Sequence, residues 1–159
     1  MLNSRRLSVL ALFVMFAACG CESTPKTPPP PKPLYERLGG TPAIQAVVDD
    51  FVARAAADPK VNFTRKGIPG AEWDPSPANM ERLKKMLVEF IVSVSGGPTR
   101  YTGKDMLTAH KGMRITNAEF DAAAADLKAS LDKCRVGAVE QAELLAAVEG
   151  TRKQMVEIR

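Results

Sequence analysis

One histidine, three cysteines and seven methionines are the side chains through which this chain could hold a soft or borderline metal. The single imidazole, His110, excludes mechanisms that need two, including most multi-histidine zinc sites and a haem held between two histidines. Its apolar neighbours are Met106, Leu107, Met113 and Ile115. A lone histidine on an apolar helix face reads as a hydrogen-bonded core residue. It also suits a five-coordinate haem, whose iron takes one neutral nitrogen and whose porphyrin takes an apolar slot. On spacing alone both readings stand. No Cys-x-x-Cys, Gly-x-Ser-x-Gly, P-loop or dinucleotide-binding glycine motif is present.

The elements that must position His110 read as helices. His110 falls on a short helix over 104–111 with Met106 and Leu107 on one face. Upstream, Thr41 is a cap residue with Pro42 at the first helical position, followed by Ile44, Val47, Val48, Phe51 and Ala55 at helical spacing, and Asp58-Pro59 ends the run. A loop rich in Gly and Pro over 62–79 holds the only tryptophan, Trp73. Asn79 or Ser76 opens the next helix, with Met80, Leu83, Leu87, Phe90, Ile91 and Val94 on a stripe, and Gly96-Gly97-Pro98 stops it. Thr116 with Glu119 forms a capping box ahead of Phe120, Ala124, Leu127 and Leu131. After a break at Gly137, a last helix spaces Leu144, Leu145, Val148, Met155 and Val156. The fold class is all-α, with no strand pattern, internal repeat or sustained heptad.

The first 33 residues are of another kind. Arg5 and Arg6 precede an apolar stretch of 11 residues over 8–18, shorter than the roughly 20 needed to span a bilayer, so residues 1–18 read as a secretory signal. Phe16-Ala17-Ala18-Cys19 resembles the lipobox of bacterial lipoproteins, in which the cysteine is acylated and becomes the new N-terminus. Cys21, after Ala18-Cys19-Gly20, is the rival acceptor, and an ordinary secreted protein is the plainer alternative. Buried acyl chains contribute roughly 0.8 kcal/mol per CH₂. Residues 19–33 then supply the lipidated cysteine and a Pro-rich stalk, and 34–159 a single domain. The expected location is the cell envelope, lipid-anchored, with the domain facing the periplasm or exterior. Without Arg5 and Arg6 the 22 bases fall to 20 against 18 acids, which removes the main electrostatic argument for nucleic-acid binding.

Several motifs bear on the histidine together. Leu34-Tyr35-Glu36-Arg37-Leu38-Gly39-Gly40 resembles the opening of group I truncated haemoglobins. Ser95-Gly96-Gly97-Pro98, Tyr101-Thr102-Gly103, Met106 and His110-Lys111-Gly112-Met113-Arg114-Ile115-Thr116 are similar to the region around that family's proximal histidine, in the same order and spacing. The resemblance runs from Leu34 to about Val156. It implies a two-over-two helical sandwich around one haem b, with His110 as the proximal iron ligand and its other ring nitrogen donating to a backbone carbonyl. It implies Met106, Leu107, Met113, Ile115 and Phe120 on the proximal side and rim, with Tyr101 in the neighbouring motif. Phe63 stands for the family's phenylalanine after the second helix, and Phe90 packs distally. Each of these also reads as plain core.

The distal side departs from that pattern. Where many members carry a tyrosine this chain has Val52, and where they carry a glutamine it has Leu87, with Leu83 one turn earlier. A hydrogen bond to a ligand on the iron is worth about 1.5–3 kcal/mol, or roughly ten- to hundredfold in affinity, so tight oxygen storage is the family role least expected. Met86 occupies a position at which some relatives place a second, histidine ligand. A thioether there would give His/Met ligation and a raised potential, the other reading being a gap-filling side chain. Lys84, Lys85, Arg100 and Lys111 are candidate propionate partners. Cys134 reads as a small buried thiol or as the partner of Cys21 in a disulfide. The implied function is binding of a diatomic ligand (O₂, NO or CO) or electron transfer with a redox partner. Weak peroxidase or dioxygenase activity remains open. A haem-free helical lipoprotein acting as an adaptor or sensor is the alternative.

Overall fold

Apolar residues recurring every three to four positions fold into helices throughout the described part of the chain. A computed structural model describes residues 30–158, and the expected signal, the candidate acylation sites Cys19 and Cys21 and most of the Pro-rich segment lie outside the described residues. The helices are α1 (Leu34–Arg37), α2 (Gly40–Ala57), α3 (Pro77–Val94), α4 (Met106–His110), α5 (Asn117–Lys133), α6 (Ala138–Glu149) and α7 (Arg152–Met155). The only β-type pairing among the described residues is an isolated parallel bridge between Thr116 and Ile158.

The principal packing is α2 on α3 and α2 on α5, with α6 on α5 and α1 on both α2 and α6. Two pairs, α2/α3 and α5/α6, thus share one core built on Leu38, Ile44, Val47, Val48, Val52, Val88, Ile91, Val92, Leu127, Leu131 and Leu144. Val48, Val52 and Leu131 are fully buried, and each such side chain stabilises the fold by about 1.5–3 kcal/mol relative to exposure. A second, smaller cluster gathers Ile115, Phe120 and Val156, and Val148 packs against both clusters. Among the described residues no helix is long and apolar enough to cross a membrane.

Three expectations about element ends change. Thr41 does not cap α2: the cap position is Gly39, in a left-handed conformation, and the Thr41 hydroxyl lies 3.0 Å from the Tyr35 hydroxyl. The short helix starts at Met106 rather than Lys104, because the Asp105 carboxylate accepts from the Thr108 N–H at 2.9 Å and fixes the first turn there. The last helix is not continuous. Gly150 and Thr151 interrupt it, and Met155 and Val156 come from a separate turn that packs on the second cluster. The Thr116/Glu119 capping box is present, as are the boundaries at Asp58, Ser76 and Gly137.

Candidate functional site

Two glycine motifs shape the approach to His110, and close packing explains both. A Cβ on Gly97 would fall 2.6 Å from Val92 Cγ1 and 2.7 Å from the Tyr35 ring, so only glycine lets the chain turn against α1 after α3. A Cβ on Gly103 would meet the Tyr101 hydroxyl oxygen at 2.2 Å, so the tyrosine ring lies directly over this glycine. Tyr101 in turn meets Phe90 edge-on, with ring centroids 5.7 Å apart, which couples the approach to α4 to the exit of α3. Burial pushes the Tyr101 phenol above its usual pKa, and the nearby Glu89 and Asp105 charges add to this.

His110 closes α4. Its Nδ1 lies 2.8 Å from the Met106 carbonyl oxygen, and because a carbonyl only accepts, Nδ1 carries the proton. Nε2 is then the lone-pair nitrogen, the form in which imidazole binds a metal. Burial pushes the imidazole below its usual pKa, outweighing the opposite effect of the Met106 bond, and this favours the neutral ring.

On α3 the buried face carries Val88, Ile91 and Val92. Leu83, Leu87, Phe90 and Val94 follow at i, i+4, i+7 and i+11 on an adjoining stripe that is only half covered, Val94 being 42% exposed. Leu87 and Phe90 pack against the main core together with Phe51, Phe63, Leu145 and Val148, and Val52 lies within that core. Phe63 also meets Trp73 edge-on, centroids 5.5 Å apart, so the long loop after α2 is anchored by an aromatic pair. Met86 is half-buried on α3 beside Leu83 and Leu87 and belongs to neither cluster.

Ile115 and Phe120 form the second cluster with Met113 beside them, and the Arg152 guanidinium stacks 4.2 Å above the Phe120 ring. Met106 is half-buried, while Leu107 is 56% exposed; neither belongs to a cluster. Lys84 pairs with Asp49 at 2.8 Å, which ties α3 to α2 and withdraws this lysine from the set of anion partners, whereas Lys85, Arg100 and Lys111 are exposed. Cys134 is half-buried and forms no disulfide among the described residues.

The matched family model covers residues 33–157 and describes bacterial-like globins. The chain belongs to this globin family. It is 34% identical over 126 residues to a group 1 truncated haemoglobin of Tetrahymena pyriformis, spanning 79% of this chain and 96% of that protein. A group 1 truncated haemoglobin of Mycolicibacterium paratuberculosis is 34% identical over 118 residues, 74% of this chain and 79% of that protein. The crystal structure of the Tetrahymena pyriformis truncated haemoglobin in its Fe(III) form superposes with a TM-score of 0.67, covering 79% of this chain and 98% of that one. A group II truncated haemoglobin from Bacillus anthracis, 20% identical with a TM-score of 0.65, shares the fold.

Haem b is the cofactor of this truncated globin, and the residues present fit it. Among the described residues no group of three or more His, Cys, Asp or Glu side chains could hold a bare ion, so a single imidazole suits an iron whose other ligands come from a porphyrin. His110 offers Nε2 in the neutral tautomer, and the half-covered stripe of α3 offers apolar surface. Sequence reasoning missed Arg65 and Glu157. Arg65 is 5% exposed and binds Glu119 through two nitrogens at 3.0 and 3.3 Å. The Glu157 carboxylate accepts from the Gly112 and Arg114 amides. Neither has a local pattern, because each partner lies more than 40 positions away. The Asp105 cap did have a readable signal, Asp-x-x-Thr with the apolar pair Met106-Leu107 in its middle positions.

Proposed function

We propose that this globin binds a diatomic ligand at haem b with His110 as the proximal iron ligand and an apolar distal side that offers the ligand no hydrogen bond. The observation that carries the reading is the His110 ring, its Nδ1 proton committed to the Met106 carbonyl at 2.8 Å and its Nε2 left as the donor. Haem supplies the iron at which O₂, NO or CO binds. Val52, Leu83 and Leu87 stand at the distal positions, and none of them can donate a proton. A ligand there would receive no hydrogen bond from these side chains and would leave fast, which suits exchange, sensing or turnover of a gas better than its storage. Leu87, Phe90 and Phe63 pack half-buried against the main core and would give a haem beside them an apolar surround.

We extend the proposal to a lipid tether at Cys19, with Cys21 as the rival acceptor, that places the domain at a bacterial cell envelope. The pattern of Arg5-Arg6, 11 apolar residues and Ala17-Ala18-Cys19 supports it.

The test is spectroscopic. The full chain with haem should give a five-coordinate ferrous spectrum, and His110→Ala should abolish it. A six-coordinate low-spin spectrum that is lost in Met86→Ala would replace gas binding by electron transfer through His/Met ligation. No Soret band after haem addition would leave the adaptor reading.

A further inference from the structure

The helix that carries His110 cannot hold itself. It has five residues and no fully buried side chain, far below the length at which a helix is stable alone. Its principal packing is against α7. Beyond it, Met113 N–H donates to the His110 carbonyl at 3.0 Å, and the next amides on either side turn to the C-terminal segment. Gly112 N–H donates to Glu157 Oε1 at 2.7 Å and Arg114 N–H to Glu157 Oε2 at 2.6 Å, so one carboxylate spans both. Two bonds run beside it, from Glu157 N–H and Ile158 N–H to the Ile115 carbonyl, at 3.0 and 3.1 Å. Val156 closes the second apolar cluster over Ile115 and Phe120, which fixes where this segment sits.

We propose that Glu157 is a positioning residue for the proximal ligand: its carboxylate clamps the Gly112 and Arg114 amides and so sets the segment that leaves His110. This rests on the reading of His110 as the iron ligand. Hydrogen bonds from backbone amides to a carboxylate are short and strong compared with neutral ones, and both oxygens are used. The clamp therefore resists tilting of α4 and of the imidazole it carries. Lys111 and Arg114 flank the carboxylate and keep positive charge near it.

Glu157→Gln is the telling variant, since it keeps size and one acceptor but sets an amide donor against a backbone donor. Glu157→Ala removes both bonds. In the full chain with haem, both variants should shift or broaden the ferrous iron–histidine stretching band in resonance Raman spectra and speed haem transfer to an apo-globin acceptor roughly tenfold. In the haem-free full chain, the Gly112, Met113 and Arg114 amides should exchange with deuterium about tenfold faster, with α2, α3 and α5 unchanged. An unchanged band together with unchanged exchange at 112–114 overturns the proposal. So does a uniform rise in exchange across all helices, which would make Glu157 a general stabilising contact. An iron–nitrogen band that survives His110→Ala overturns the ligand reading, whereas exchange in the haem-free chain reads the Glu157 clamp by itself.

Discussion

At His110 the decisive feature is a proton. The Met106 carbonyl takes it on Nδ1, and burial keeps the ring neutral, so the free lone pair points through Nε2. On the side we propose as distal the decisive feature is the lack of one. Val52 is completely buried, Leu87 packs half-buried against the core, and Leu83 lies one turn before it. Restoring a donor should therefore reverse the expected fast release. Leu87→Gln, close in volume, should slow oxygen dissociation roughly ten- to hundredfold in stopped-flow measurements, with a smaller effect on CO, which accepts hydrogen bonds weakly. An oxygen off-rate equal to wild type would remove Leu87 from the ligand's surroundings. The sequence made these identities legible, because the absence of a side-chain donor at a position is read from one letter.

Elements are held by pairs the sequence could not announce. Arg65, in the loop between α2 and α3, reaches the first turn of α5 and grips Glu119, which also caps that helix through Thr116. Burial alone would raise the Glu119 carboxyl, but the Thr116 amide and the Arg65 guanidinium outweigh it and hold the group below its ordinary value of 4.5. The folded chain thus binds this proton less readily than the unfolded chain. The stabilisation is complete above the ordinary value and is lost as pH falls through the lower folded one. Glu119→Gln should cost roughly 3 kcal/mol at neutral pH, because it leaves a buried guanidinium without its counter-charge. Urea unfolding should show the gap between wild type and variant narrowing as pH falls below the ordinary carboxyl value, and a gap that stays constant as pH is lowered would contradict the assignment. The capping box was legible in Thr116 and Glu119. The third partner was not, since 54 positions separate Arg65 from Glu119 and only the fold brings them together.

Across the whole molecule, helical periodicity and breakers recovered the all-α class and the main helices, because α2, α3, α5 and α6 each carry an apolar stripe bounded by Gly, Pro or a cap. The ends were harder. Gly39 and not Thr41 precedes α2, and the turn at Gly150 separates Met155 and Val156 from α6, since tertiary packing on Ile115 outweighs a pattern that would run on. The role proposed for His110 was not legible from spacing alone and rests on the motifs around it, Gly97 and Gly103 included; packing explains why those glycines are there. The N-terminal segment makes a separate prediction. Palmitate labelling and membrane fractionation of the full chain should both be lost in Cys19→Ser, and labelling that persists would assign the lipid to Cys21. The central claim, a haem on His110 with nothing opposite it but apolar side chains, is tested most directly by the absorption spectrum of the full chain with haem, reduced under argon and then exposed to CO. A five-coordinate ferrous spectrum that converts to a CO adduct, and that His110→Ala abolishes, is the predicted result. No Soret band, or a low-spin ferrous spectrum before any ligand is added, would contradict it.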